Sequence, residues 1–133
     1  MTLPSFIAAW LGKPCQYDQI VLAECVDLVN QWAVSGLGKP RLWGNACDLL
    51  AQANPAVWWR TANGPTNAPA PGAIVCWKGD VTVHGIGPYG HTAICVSADA
   101  GWLVTFDQDW PPGSPPGLVV HDYQGVAGWL WPR

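Results

Sequence analysis

Charge is scarce in this sequence. Asp, Glu, Lys and Arg make up 11% of its 133 residues, and only six of those side chains are basic. Six scattered cations cannot line a surface that tracks phosphates, which argues against nucleic acid as a partner. No apolar run approaches the roughly 20 residues that cross a bilayer, so membrane insertion is not expected. The chain opens Met1-Thr2-Leu3-Pro4-Ser5 with no basic residue ahead of the apolar Phe6–Leu11. A secretory signal is therefore not expected either. No Cys-x-x-Cys pair occurs, which weakens any structural zinc reading. What the sequence does have is apolar mass: half its residues are hydrophobic, and ten are Trp. That composition excludes a disordered tail. A chain of 14.3 kDa is one domain's worth and is expected to fold to a surface of roughly 6,800 Å².

Helical signals fill the first half. Thr2 can cap a helix over about Leu3–Leu11, with Pro4 in its first turn and Gly12 as its stop. Cys25, Leu28, Val29 and Trp32 fall at i, i+3, i+4 and i+7, one apolar stripe on a helix over about Ala23–Val34. Asn45 can cap a third helix over about Ala46–Ala53, stopped by Pro55. Residues Thr61–Gly72 are rich in Pro, Asn, Gly and Ala and read as a connection. Short apolar runs follow at Ala73–Trp77, His91–Ser97, Trp102–Asp107, Leu118–His121 and Trp129–Trp131. Asp99-Ala100-Gly101 reads as a hairpin turn between the second and third of these. Helices first and closely linked strands after argue for an α+β fold, with N-terminal helices packed on a small antiparallel sheet.

Three residues have a chemical reading. Cys25 sits near the first turn of its helix, where backbone N–H groups and the positive dipole end favour a thiolate. On position alone, a core cysteine is the better account of it. If the hairpin turn centres on Asp99, His91 lies opposite Asp107, within reach of a hydrogen bond, and Asp109 lies at the diagonal. The plain alternative is a satisfied strand-end histidine beside a turn-forming aspartate. Together the three residues offer a nucleophile, a base and a carboxylate that orients the base. Of the other cysteines, Cys76 and Cys95 lie in strands that could be neighbours, but core packing explains them better than a disulfide. His84 with His91 and an Asp could suggest a zinc amidase, yet no His-Glu-x-x-His helix exists, and no metal is expected. His121 reads as a strand-edge residue. Trp58, Trp59 and Trp110 lie near loops and could line a groove, although half-buried packing explains each equally well.

The segment Glu24-Cys25-Val26-Asp27-Leu28-Val29 resembles the nucleophile segment of CHAP domains. These are cysteine amidohydrolases/peptidases of the NlpC/P60 superfamily, abundant in phage endolysins. Four more segments resemble that family in order: Trp43-Gly44-Asn45-Ala46, then Pro71-Gly72-Ala73-Ile74-Val75 with Trp77, then Gly90-His91-Thr92-Ala93-Ile94, then Phe106-Asp107-Gln108-Asp109-Trp110. The closing Tyr123–Trp129 also fits. The resemblance implies a papain-like α+β domain covering residues 1–133, with Cys25 as nucleophile, His91 as base and Asp107 as orienting acid. Asp109 stands where relatives often have Asn, near the histidine. The implied substrate is peptidoglycan, cut at an amide bond as an N-acetylmuramoyl-L-alanine amidase or an endopeptidase.

Three departures from the family pattern matter. Asp107 replaces the commoner Glu. Glu24 replaces the commoner Gln, and an ionised Glu cannot donate to an oxyanion. Some relatives bind calcium through an Asp-x-Asp loop; here Tyr17-Asp18-Gln19-Ile20 offers one carboxylate, too few for a calcium cage, so no cofactor is expected. A monomer, made in the host cytoplasm and acting on the cell wall or carried by the virion, is the implied setting. Two rivals stay open: a noncatalytic wall-binding or virion structural module, and a cysteine amidase acting on a small soluble amide.

Overall fold

The computed structural model describes residues 1–19, 23–80 and 86–133. Its accessible surface is 6610 Å², close to the value expected for a compact chain of this mass. Helix α1 spans Leu3–Trp10, with the Thr2 hydroxyl accepting from the Ser5 N–H. Helix α2 spans Cys25–Gln31 and relaxes into a π-turn over Trp32–Gly36. The expected third helix starts at its Asn45 cap as a 3₁₀ turn, Ala46–Asp48, and continues as α3, Leu49–Gln52. Six strands follow: β1 Trp58–Ala62, β2 Ile74–Trp77, β3 His91–Ala98, β4 Leu103–Asp107, β5 Gly117–His121 and β6 Val126–Pro132. They form one antiparallel sheet in the order β1-β6-β2-β3-β4-β5. Strand β1 is not among the runs that the sequence marks. Its burial alternates poorly, and what makes it a strand is the ladder it forms with β6 from the other end of the chain.

Both faces of the sheet are covered at its centre, which is why β2 is buried at all four positions. Ile74, Cys76, Ile94, Phe106 and Leu130 join Phe6, Leu28, Val29 and Trp32 in one apolar cluster on the helix side. Val75, Trp77, Ala93, Cys95, Leu103 and Trp129 form a second cluster on the other face. Side-chain alternation along each strand sorts the two sets. It also keeps Cys76 and Cys95 on opposite faces, and both are free thiols. The Trp32 indole N–H donates to the Gly72 carbonyl at 2.9 Å, tying α2 to the start of β2.

The β3–β4 hairpin decides where the site residues point. Asp99 does organise the turn, its carboxylate accepting from the N–H groups of Gly101 and Trp102. The turn is wider than a centre on Asp99 allows: Ala98 pairs with Leu103. Continued unbroken, that register would set Asp107 beside Ile94, on the helix face. A bulge between Cys95 and Ser97 absorbs one residue, and beyond it Ile94 pairs with Phe106. Asp107 therefore falls abreast of Ala93 and shares a face with His91, at the diagonal rather than directly opposite.

Candidate active site

Cys25 is the first residue of α2, with Glu24 at the cap position. The Glu24 N–H donates to Asp27 Oδ2 at 3.0 Å, closing the first turn. As a first-turn residue, Cys25 has a backbone N–H with no partner inside the helix. The side chain is half-buried. Burial pushes its thiol up to about 12; N–H groups of Thr92 and Val26 pull it down, and the charges of Asp109 and Glu24 push it further up. The N–H groups that favour a thiolate at a helix start are thus opposed by loss of water, the largest influence, and by the two nearby carboxylates. A pKa raised in this way favours the neutral thiol, and a base beside it eases its ionisation.

His91 opens β3 and is 3% exposed. Gly90 precedes it at φ +74°, and a Cβ there would lie 2.5 Å from the Trp77 carbonyl and 2.7 Å from Cys47 Cβ. Only glycine brings the chain into β3 at this approach. His91 Nε2 lies 2.7 Å from Asp107 Oδ2. Asp107 ends β4 at 1% exposure. Burial alone would raise its pKa, but hydrogen bonds from His121 and His91, with their charge, outweigh burial and hold it below the usual carboxylate range. An ionised carboxylate only accepts, so each imidazole presents Nε2–H to it. That leaves His91 Nδ1 as the ring nitrogen able to take a proton.

As the sequence suggests, His121 lies at a strand edge, the last residue of the edge strand β5. It is 8% exposed, and its Nε2 lies 2.9 Å from Asp107 Oδ2. Its ladder partner is Leu103, four positions from Asp107 along β4, a separation that no sequence pattern flags. Thr105 Oγ1 donates to the other carboxylate oxygen, Oδ1. His91, Asp107 and His121 are the metal-type cluster among the described residues, their ligand atoms within 4.8 Å of one another. Those atoms already satisfy each other by hydrogen bonds, so the set requires no ion to explain its burial. His84 and Ile20 lie outside the described residues, and with them part of the zinc and calcium readings.

Gln108 is the second residue the sequence reading assigned no role. It is fully buried and, by alternation, points away from the face that holds Asp107. Its amide donates to the carbonyls of Cys15 at 2.8 Å and Glu24 at 2.7 Å, and its Oε1 accepts from the Cys15 N–H at 2.7 Å. Neighbouring residues at the end of β4 thus hold the histidine on one side and the approach to Cys25 on the other.

A cavity of about 640 Å³ is lined by Cys25, His91, Glu24, Asp109 and Trp110, with Asp18, Arg41 and Asn45 among its other walls. Trp110 packs on His91 at 5.0 Å between ring centroids. Asp109 has φ +63° and its carboxylate accepts from the Gly113 N–H at 2.5 Å. Glu24 has a raised pKa from burial and from repulsion by Asp27, Asp18 and Asp109. Trp58 and Trp59 are not among the cavity's lining residues. They lie on β1 at the far edge of the sheet, Trp58 buried in the helix-side cluster and Trp59 stacked under the Arg133 guanidinium.

A helix that starts on a cysteine, packed on an antiparallel sheet whose strands carry a histidine–carboxylate pair, defines a papain-like α+β fold. The family follows from comparison. The CHAP domain profile matches residues 15–109, and the chain belongs to the CHAP domain family. It is 25% identical to the endolysin PlyTW of Staphylococcus phage Twort, over 97% of this chain and 29% of that protein. The wild-type endolysin LysIME-EF1 superposes with a TM-score of 0.80 at 28% identity, over 96% of this chain and 61% of that one. Ly7917, solved with the hydrolysis product of MDP, shares the fold at a TM-score of 0.68 and 18% identity, over 96% of this chain and 60% of that one. The chain thus spans under a third of PlyTW and about three-fifths of each of these two solved chains. Among the described residues, no helix is long and apolar enough to cross a membrane.

Proposed function

We propose that this chain is the catalytic unit of an endolysin-type peptidoglycan hydrolase, cleaving an amide bond of the wall peptide with Cys25, His91 and Asp107. One observation carries the reading: His91 has Nε2 occupied by a buried ionised carboxylate at 2.7 Å while it shares a cavity with a cysteine at a helix start. His91 Nδ1 takes the proton from the Cys25 thiol as Sγ attacks the substrate carbonyl. Because the thiol rests protonated, proton removal accompanies attack rather than preceding it. The developing oxyanion meets the Cys25 N–H at the start of α2; Glu24, an acceptor when ionised, cannot serve it. The imidazolium, stabilised by Asp107, then protonates the leaving amine and leaves a thioester on Cys25. Water, deprotonated by His91, releases the acid and restores the thiol.

The bond is either the muramoyl–L-alanine amide or a peptide bond of the stem or cross-bridge, since both present the same carbonyl to Cys25. The chain works as a monomer on a wall reached from the host cytoplasm. Incubation with purified sacculi, followed by mass spectrometry of the released fragments, tests this. Soluble fragments with one new amine and one new carboxylate are expected from the parent and none from Cys25→Ala. Equal release by parent and variant refutes the assignment.

A further inference from the structure

We propose that His121 is a positioning residue of this site, acting on His91 through Asp107; the proposal rests on the catalytic reading above. The motivating geometry is a single carboxylate oxygen shared by two imidazoles. His91 Nε2 and His121 Nε2 reach Asp107 Oδ2 at 2.7 Å and 2.9 Å. Oδ1 is taken by the Thr105 hydroxyl. The carboxylate plane is thus fixed from three sides, and a plane so fixed presents one lone pair to His91 in one direction. Without the His121 N–H, Asp107 keeps one donor at each oxygen and gains freedom to rotate about its Cβ–Cγ bond. The His91 N–H then loses a stationary acceptor, and with it the preference that keeps Nδ1 free to receive the thiol proton.

The surroundings hold the second imidazole as tightly as the first. Trp77 packs against His91 and His121 at 5.1 and 4.8 Å between ring centroids, and Trp110 packs against them at 5.0 and 5.4 Å. Filling this aromatic slot requires no nitrogen; an apolar ring would pack there equally well. What the imidazole adds is an N–H aimed at a carboxylate that is only 1% exposed. A buried donor at this place is explained by the acceptor it orients.

The experiment uses two replacements of His121. Phe fills the slot without a donor, and Gln places an amide N–H at about the reach of Nε2. Release from sacculi is measured as turnover at saturating substrate and as the half-saturating concentration. His121→Phe is expected to cut turnover about tenfold or more, the loss of one hydrogen bond to a charged group. The half-saturating concentration should stay within about twofold. His121→Gln is expected to recover most of the turnover. If His121 acts through Asp107, His121→Phe costs at most about twofold when Asp107 is already Asn. Imidazole ¹⁵N shifts give a readout independent of wall hydrolysis. His91 is expected as the Nε2–H form in the parent and as a mixture of tautomers in His121→Phe. Equal turnover loss in Phe and Gln variants, full additivity with Asp107→Asn, or an unchanged His91 tautomer each overturns the proposal. If the parent releases nothing from sacculi, the hydrolase reading fails, and the tautomer measurement still decides the role of His121. Should the Phe variant not fold, His121→Asn supplies the same test, its shorter arm ending the amide short of Asp107.

Discussion

Replacing Gln108 by Leu removes a clasp whose strength can be worked out from its bonds. Three hydrogen bonds disappear: to the Cys15 N–H, the Cys15 carbonyl and the Glu24 carbonyl. Cys15 is 1% exposed, so water does not reach its two orphaned groups, and each costs about 1–3 kcal/mol. The bond to Glu24 is only part-buried, so its carbonyl regains water, and the third loss is about 0.5 kcal/mol. Burying Leu in place of the amide returns about 1 kcal/mol. The net expectation is a loss of about 2–5 kcal/mol, or roughly 6–20 °C in melting temperature for a domain of this size. Chemical denaturation with the slope held in common reads it directly. Gln108→Glu separates chemistry from shape. It keeps the outline, but its buried carboxyl has at most one proton for two carbonyls where the amide has two, so it should lose stability and lose more as pH rises. Because the clasp ends on the residue before Cys25, turnover should fall in both variants by more than the unfolded fraction explains. Stability of both within about 1 kcal/mol of the parent would refute the reasoning and make Gln108 a space-filler.

Asp107→Asn keeps an acceptor for the imidazoles and lets Thr105 become the acceptor for the new amide, so the fold should hold. The lost ionic partner at 2.7 Å should lower turnover by roughly 10²–10⁴ with little change in half-saturation, and a loss of less than about threefold would remove Asp107 from the mechanism. The acid stability of the fold should carry the mark of the same residue. The Asp107 pKa lies below its ordinary 3.8 when folded, so its network contributes stability that is present above about pH 3.8 and fades as pH falls through the lower folded value. Denaturant midpoints between pH 7 and pH 2.5 should therefore fall less steeply in Asp107→Asn than in the parent. Cys25, a thiol pushed up to about 12, should react slowly with iodoacetamide at neutral pH and faster up to pH 10 and beyond. Rapid alkylation at pH 6 to 7 would reveal a preformed thiolate and reverse the order of proton transfer and attack. Chelation by EDTA should leave activity unchanged, and loss restored by Ca²⁺ or Zn²⁺ would assign an ion to Asp18 or to the histidine pair.

Local chemistry was legible in the residues themselves. The apolar stripe of α2, the Asn45 and Thr2 caps, the Asp99 turn and five of the strands depend on interactions within a few residues, and such patterns survive in one dimension. The same holds for Cys25, His91 and Asp107 as candidates, since each sits in a short segment with its own signature. Relations across the sheet were another matter. The β3–β4 turn is wider than its Asp99-Ala100-Gly101 core suggests, and the bulge at Val96 restores Asp107 to the face of His91; a bulge is chosen by packing on both faces, not by the strand's own residues. Strand β1 exists because β6 returns to pair with it. His121 reaches Asp107 from four positions along the ladder, and Gln108 joins residues 93 positions apart. The environment of Cys25 is the last such case. The helix start and the neighbouring Glu24 are visible in sequence, whereas the burial of the thiol and the Asp109 carboxylate brought near it are tertiary facts, and both push its pKa up.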